Sequence, residues 1–411
     1  MSSVEQLWVA GVGMTEFGVH RALSVKQLVA SAVGDALADA GAETGSLDVA
    51  FFGTATQGRL EGQTSVPGEI ALREMGIGAI PVFNVENACA TGASAFALAC
   101  AHLRAGLADV ALAVGVEKMH TDDPAAAMAV FEGGFDVNDR AGLDRDLAIL
   151  GGASDTSDVG RRSIFMDIYA AMARSHMGLY GTTAEQIAAV ASKNHAHAID
   201  NPRAFYRKNF TIEEVLAARP LAPPITVPMC SPVTDGAAAA IVCTEAGLKR
   251  LRAAGVPVRV LAFSVATGTD RDITNFENHV SSRAAQKAYE QAGVGPEEVS
   301  VAEVHDATAF GELLQSELMG LVPEGDGGPA ALRGDTTIGG RIPINPSGGL
   351  ESKGHPIGAT GLGQVFELVE QLRGRAGSRQ VEGARIALAE NGGGFHRGEE
   401  AVASVIILGS E

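Results

Sequence analysis

One plan is written twice along this 411-residue chain. In the first copy, Leu7–Val12 reads as a strand. Ser24 caps a helix that runs to Ala40, with Leu28, Val29, Ala32, Ala36 and Leu37 on one face, and Gly41 stops it. A buried strand (Val49–Phe52), a glycine-rich loop (Gly53–Gly68), a short helix (Ile70–Met75) and a strand (Pro81–Val85) follow. A helix beginning at Cys89 and a strand (Ala108–Val114) complete the copy. The second copy has a strand (Val258–Val265), a helix (Arg283–Ala292) and a strand (Val299–Val304). A helix entered through Gly354–Gly361 and ending near Leu372 comes next, then a strand (Ala384–Ala389).

Gly41 and Gly293, and Gly53 and His305, stand 252 residues apart, whereas Thr91-Gly92 and Thr360-Gly361 stand 269 apart. The second copy therefore carries 17 extra residues, expected in the Gly325–Gly340 region. Shared element order predicts an α/β fold of two similar halves, residues 1–255 and 256–411, packed together. Residues 119–221 are too long and too structured for a linker and predict a cap or loop domain inserted in the first half. Cys89 and Gly358 then occupy equivalent helix starts, and symmetry-related loops converge on one site.

Val85–Cys100 passes from a polar turn into a helix of small residues, with Cys89 at the junction. Unpaired N–H groups of a first helical turn and the positive end of the helix dipole favour thiolate there. Small neighbours (Ala88, Ala90, Gly92, Ala93) leave room for a substrate carbonyl, which suits a nucleophile on an elbow. A buried structural cysteine is the alternative. A catalytic cysteine needs a proton partner and an oxyanion hole. His305 follows a strand in Val304–Phe310, and His355 ends the glycine-rich stretch Asn345–Pro356. The run Gly392–Gly394 offers bare N–H groups that a ligand can approach closely.

The formal net charge of −18 argues against nucleic acid or an anionic membrane as partner. It leaves room for an anionic ligand held by a local basic or N–H site. The basic positions Lys193, His195, His197, Arg203, Arg207 and Lys208 read either as a solvated helix end or as such a phosphate contact. The four cysteines form no CxxC pair, so neither a metal site nor a disulfide framework is expected. Cys100, Cys230 and Cys243 read as structural. No leader segment and no run of 18 apolar residues is evident, and a cytoplasmic location is the expectation.

Four motifs together resemble the thiolase superfamily, in its sterol-carrier-protein-type branch. They are Asn87–Gly92, Asp235–Ala239, His305-Asp306, and Asn345–Gly349 with Gly354–Gly361. The resemblance covers essentially the whole chain, and the last motif is the most specific. It implies a five-layered αβαβα fold of two related halves, an inserted loop domain that helps bind coenzyme A, and a homodimer or tetramer. The implied activity is acyl-CoA C-acyltransferase, cleaving or forming a β-ketoacyl-CoA through an acyl-Cys89 intermediate, with a coenzyme A thioester as substrate and no bound cofactor. His355 would take the Cys89 proton, in a resting thiolate–imidazolium pair, and His305 would line the hole for the second thioester's enolate. The N–H groups of Cys89 and of the Gly392–Gly393 run would hold the acyl oxyanion. Ser347, Gly348, Ser352, Lys193 and Arg207 would contact substrate or coenzyme A.

The chain departs from that family at one role. The second catalytic cysteine usually opens a Cys-x-Gly motif, where this chain has Glu390-Asn391-Gly392, or follows His-Asp, where it has Ala307. Three readings stay open: Glu390 carries the proton if burial raises its pKa, one histidine serves twice, or the reaction avoids the usual α-proton abstraction. Relatives without the second cysteine work with a small zinc-ribbon and OB-fold (DUF35-type) partner, and branched, aromatic or succinyl-type substrates would suit that group. A retro-aldol lyase acting on a CoA ester, a ketosynthase-like condensing enzyme and a non-catalytic acyl-CoA-binding subunit are the rival readings.

Overall fold

The computed structural model describes residues 5–152, 162–252 and 255–410. Nine strands form its main sheet: β1 (Leu7–Met14), β2 (Val49–Gly53), β3 (Val82–Val85), β4 (Val110–Glu117), β5 (Gly236–Thr244), β6 (Val258–Thr267), β7 (Val301–Glu303), β8 (Ile386–Gly393) and β9 (Val402–Gly409). The helices that matter here are α1 (Val25–Ala40), α2 (Thr91–Arg104), α3 (Ile164–Tyr180), α4 (Ala184–Ala198), α5 (Val280–Ala292), α6 (Ala309–Leu318), α7 (Gly349–Lys353) and α8 (Thr360–Leu372). Local signals set their ends. Ser24 and Gln27 form a reciprocal capping box at the start of α1, and Gly41, at φ 58°, closes it.

The sheet order is β3-β2-β4-β5-β1-β6-β9-β8-β7. A row of paired residues crosses the first half through Val82, Ala50, Leu112, Ile241 and Gly11. The matching row in the second half runs through Ile344, Ala302, Leu388, Ile407 and Ala262. Both halves interrupt their pairing at one place, so that Ala10 in β1 and Leu261 in β6 are each skipped. These are bulges at equivalent positions. The halves join where β1 meets β6 antiparallel, with Trp8 opposite Arg259, Leu7 opposite Val260 and Val9 opposite Val258. Trp8 and Arg259 are themselves equivalent, so a pseudo-twofold axis passes between them. Strands β5 and β9, which close each half's sheet, were not foreseen from the sequence. Their apolar runs have no alternation because both faces are buried.

Helices α2 and α8 touch strands of both halves and each other, so they form a central layer. Their apolar faces share one core with inward residues of both sheet halves, including Val9, Phe51, Ala238, Val258 and Leu408. A second core packs α1 on the outer face of the first half, and a third packs α5 on the outer face of the second. The five layers are thus α1, sheet, α2 with α8, sheet, α5. Glycine sets the spacing in the middle: a Cβ on Gly92 would stand 2.9 Å from the Gly358 oxygen, and one on Gly361 only 2.5 Å from the Ala93 nitrogen. The repeated Thr-Gly marks this contact.

The extra residues of the second half fall in two places, not one. Ala50 pairs with Val82, and its counterpart Ala302 bridges to Ile344. By Ile344 the offset has grown to 262, and it reaches 269 only at Thr360. Ten residues therefore precede Ile344, in the region anticipated. The other seven lie between it and α8, in the segment that contains α7 and His355. Between β4 and β5 stand α3, α4 and shorter elements, with a core of their own around Leu147, Ile168, Met172, Ile187 and Phe310. No helix among the described residues is long and apolar enough to cross a membrane.

Candidate active site

Strand β3 ends at Val85, and the chain turns sharply before α2. Ala88 takes a φ of 48°, the left-handed region that a side-chain-bearing residue adopts at a cost of about 1–2 kcal/mol. The Ala88 N–H donates to Glu86 Oε1 at 2.6 Å. The Thr91 hydroxyl accepts from Asn87 N–H at 2.9 Å and donates to the Ala88 oxygen at 2.6 Å. A single 3-10 turn, Ala88–Ala90, then delivers Cys89 at the mouth of α2.

The equivalent turn of the second half, Ile357–Ala359, leads into α8, and the preceding segment places His355 against the thiol. His355 Nε2 lies 3.3 Å from Cys89 Sγ. The Thr360 hydroxyl donates its one hydrogen to the Pro356 oxygen at 3.0 Å, so at 2.6 Å it accepts from His355 Nδ1–H. That fixes the tautomer: the Nε2 lone pair faces the thiol. The His355 N–H donates to Thr234 Oγ1 at 2.8 Å. His305 stands edge-on to His355, ring centroids 5.4 Å apart, and Cys89 Sγ and one ring nitrogen of each histidine all lie within 4.8 Å of one another. Both His305 ring nitrogens are buried without a hydrogen-bond partner among the described residues.

The charge state differs from the thiolate–imidazolium pair expected at rest. Burial, with the nearby carboxylates of Glu117, Glu86 and Glu400, pushes the Cys89 thiol up to about 12. Burial and the neighbouring His305 hold His355 well below its ordinary value, and burial alone lowers His305 to about 4. These shifts favour a neutral thiol beside two neutral imidazoles.

Buried acids hold the loops behind these groups. Asp306 turns away from the cavity and accepts from Leu350 N–H at 2.7 Å, Glu351 N–H at 3.3 Å and Asn194 Nδ2 at 3.1 Å. Gly349, at φ 60°, has no room for a side chain, since a Cβ there would lie 2.0 Å from Asp306 Oδ2. Glu117, at the end of β4, accepts from Thr54 Oγ1, Thr56 Oγ1 and the N–H groups of Ala55, Thr56 and Gly358, which ties the second half's turn to the first.

Cys89, His305 and His355 line one cavity of about 180 Å³. Its other walls are mostly apolar: Met119, Met128, Phe131, Phe165, Met166, Ile168, Tyr169, Met172, Leu221 and Phe395. Ala307, Gly394 and Glu400 complete the reactive end, and Arg162, Ser163 and Ser231 are the polar wall residues.

The other residues singled out in the sequence lie off that surface. Glu390 is fully buried behind His305, accepting its N–H at 3.0 Å through Oε2, while Oε1 has no partner among the described residues. Burial and the charge of Glu400 push its carboxyl well up. Gly393 packs against the elbow, where a Cβ would stand 2.3 Å from the Asn87 oxygen, and Gly392 lies between His305 and Glu400. Ser347 bonds to Glu303, Ser352 pairs with His195, and Gly348 lies against Ala198. Lys193 is spent on Glu312 at 2.7 Å and on the Ile344 oxygen, also at 2.7 Å. His197 donates from Nδ1 to the Asn345 oxygen, because its Nε2 accepts from Ile338 N–H. Arg207 reaches Glu16 and the oxygens of Ala204 and Pro202. Lys193, His195 and His197 thus clamp the loop that carries His355, in place of the phosphate contact expected of Lys193. Glu400 and the apolar wall escaped the sequence reading, for nothing in Glu399-Glu400 tells which carboxylate turns inward.

Comparison with known proteins places this site in a family. The family model described as thiolase, N-terminal domain, matches residues 7–213, and that described as thiolase C-terminal domain-like matches residues 264–410. An acetyl-CoA acetyltransferase of Methanothermobacter thermautotrophicus is 39% identical over 94% of this chain and 96% of its own length. Sterol carrier protein 2 of Oryctolagus cuniculus is 35% identical over 95% of this chain and 70% of its own. Benzoylsuccinyl-CoA thiolase subunit BbsB of Thauera aromatica is 35% identical over 96% of each. A solved structure named Ltp2-ChsH2(DUF35) aldolase shares the fold, with a TM-score of 0.78 at 24% identity over 99% of both chains.

Proposed function

This chain belongs to the thiolase superfamily, in its sterol-carrier-protein-type branch, and is an acyltransferase acting on coenzyme A thioesters; from that premise we propose that it cleaves or forms a β-ketoacyl-CoA through an acyl-Cys89 intermediate. The observation that carries the reading is the 3.3 Å approach of His355 Nε2 to Cys89 Sγ in a mostly apolar cavity. In cleavage, His355 takes the thiol proton as sulfur attacks the keto carbon. The Cys89 N–H receives the oxyanion together with an N–H of the Gly392–Gly394 run, whose Gly394 lines the cavity. His305, neutral and unpartnered, donates a hydrogen bond to the thioester oxygen of the leaving enolate.

The substrate is a bulky acyl group, branched or aromatic, because methionine and phenylalanine side chains line the cavity. The likeness to a benzoylsuccinyl-CoA thiolase subunit supports that class, and the word subunit in that name supports a small partner chain of the zinc-ribbon and OB-fold (DUF35) kind. A second copy of this chain pairs at β3. That strand is the outer edge of the sheet, and Phe83 on it and Leu98 on α2 are each 46% exposed. An uncovered edge strand with an apolar flank is a surface for strand pairing.

The test is intact-protein mass spectrometry after mixing with a panel of acyl- and β-ketoacyl-CoA thioesters, with Cys89→Ala as control. The expected result is an acyl-sized mass gain that the control loses. Carbon–carbon cleavage that persists in Cys89→Ala would overturn the acyl-cysteine mechanism and favour a retro-aldol lyase.

A further inference from the structure

The acyl-Cys89 chemistry needs a group that gives a proton to the departing carbon and later takes one from the incoming coenzyme A thiol. Both positions where the family places a second cysteine are empty of one. Ala307 lines the cavity, and Glu390 is buried behind His305. Cys230 reaches the cavity wall, but its thiol donates at 3.6 Å to the Thr226 oxygen of its own turn.

Glu400 stands where the β8–β9 hairpin returns to the sheet, and it lines the cavity together with Cys89, His305 and Ala307. Its Oε1 accepts from Gln315 Nε2 at 3.0 Å, and its buried Oε2 lies 3.2 Å from His279 Nε2 without the alignment of a hydrogen bond. Gly392 opens the space between Glu400 and His305. A Cβ there would lie 2.7 Å from Glu400 Cγ and 3.4 Å from His305 Nδ1, so any larger residue would part the two side chains.

We propose that Glu400 is the second proton carrier of this site, standing in for the missing cysteine. The proposal rests on the acyl-Cys89 reading above. In cleavage the Cys89 sulfur bonds to the keto carbon and the bond between that carbon and the α-carbon breaks. Its electron pair goes to the enolate, and the Glu400 carboxylic acid protonates the α-carbon. Next, coenzyme A thiol attacks acyl-Cys89 and the Glu400 carboxylate takes the thiol proton. The carbon–sulfur bond to Cys89 breaks, and the departing sulfur takes back the proton that His355 held, which restores the Cys89 thiol, the neutral His355 and the Glu400 acid, with no oxidant or reductant consumed.

The charge environment suits that exchange. Burial, aided by Glu399, raises the Glu400 carboxyl to about 7 against the opposing backbone hydrogen bond, Arg271 and Gln315. A value near neutrality serves an acid and a base in turn. The other groups that face it are His279, whose Nε2 is 3.2 Å from Oε2, Tyr169, Glu390 and Cys89, all of which feel its charge or touch it, and His305 across Gly392.

The experiment follows two readouts on the full chain, with acetyl-CoA, propionyl-CoA and phenylacetyl-CoA as probes. One is acylation of Cys89 by intact mass. The other is exchange of the α-hydrogens for deuterium in D2O, which requires the proton carrier. Glu400→Gln is expected to keep the wild-type melting profile, which shows that it folds, and to slow acylation, whose departing coenzyme A thiolate it no longer protonates, while exchange falls at least 100-fold. Glu400→Asp recovers part of the exchange. The wild-type exchange rate rises with pH through about 7, as the carboxylate forms, and Glu400→Gln loses that step. Exchange retained in Glu400→Gln, exchange lost in Cys230→Ala instead, or a wild type that acylates Cys89 yet exchanges none of the probes would each overturn the proposal. Failure of the wild type to acylate at all would overturn the acyl-Cys89 reading beneath it.

Discussion

The two helix starts at the centre of the molecule have one backbone plan and opposite duties. Each is a 3-10 turn leading into a helix that begins with Thr-Gly, 269 residues apart. The first carries Cys89; the second carries Gly358 at the same place. Each is held by the other half. Glu117 on β4 accepts from Gly358 N–H, and its counterpart on β8, Gly393, packs against the Asn87–Ala90 turn. The threonines show how the duties divided. Thr91 accepts the N–H of Asn87, whereas Thr360 accepts His355 Nδ1–H. The residue equivalent to Asn87 is Pro356, which has no N–H. Proline leaves the threonine oxygen open, and the seven added residues before α8 bring His355 to fill it.

Removing the base tests that division most severely. His355→Asn is expected to slow acylation of Cys89 by roughly 1,000-fold, within the range general-base catalysis supplies, and stopped-flow release of coenzyme A measures it. A loss below ten-fold would mean that the second half does not supply the base. The neutral resting pair makes the next largest effect. A thiol raised toward 12 by burial and three carboxylates ionises only as pH climbs. Iodoacetamide labelling of Cys89 in the free enzyme should therefore accelerate about ten-fold per pH unit between pH 7 and 9, as the thiolate fraction does. A plateau below pH 7 would restore the resting ion pair.

Smaller changes sharpen the threonine comparison. Thr360→Val removes the acceptor that selects the His355 tautomer, and the loss of one buried hydrogen bond corresponds to roughly ten-fold in acylation rate. Thr91→Val, at the matching position, is expected to lower thermal stability without changing the pH profile of acylation. Pro356→Ala gives the second turn the N–H it lacks, and competition for Thr360 is expected to cost a few-fold, by roughly the energy of a partly displaced hydrogen bond. Equal rate effects from the two threonines would break the comparison.

Element order and the Thr-Gly repeat were legible in the residues, since glycine, capping and apolar periodicity act locally, whereas the convergence of Cys89 and His355 was inferred from the repeat register and the family resemblance. Facts set by packing were not. Ala10 and Leu261 bulge at matching points, but an alanine and a leucine share no local signal for it. The extra residues divide around Ile344 because a lone bridge there continues the sheet without a strand-like run. Lys193 and His197 read as a basic patch, yet the buried acids and oxygens they meet come from residues over a hundred positions away. Glu400 reaches the cavity because Gly392, eight positions earlier on the neighbouring strand, leaves it space.

The most direct measurement is to stop the reaction with a bulky acyl-CoA in acid, digest the protein and map the acyl group to a residue. The account predicts the label on Cys89 in wild type and its loss in His355→Asn at the same short time. A label on Cys230, or turnover with no labelled cysteine, would contradict it.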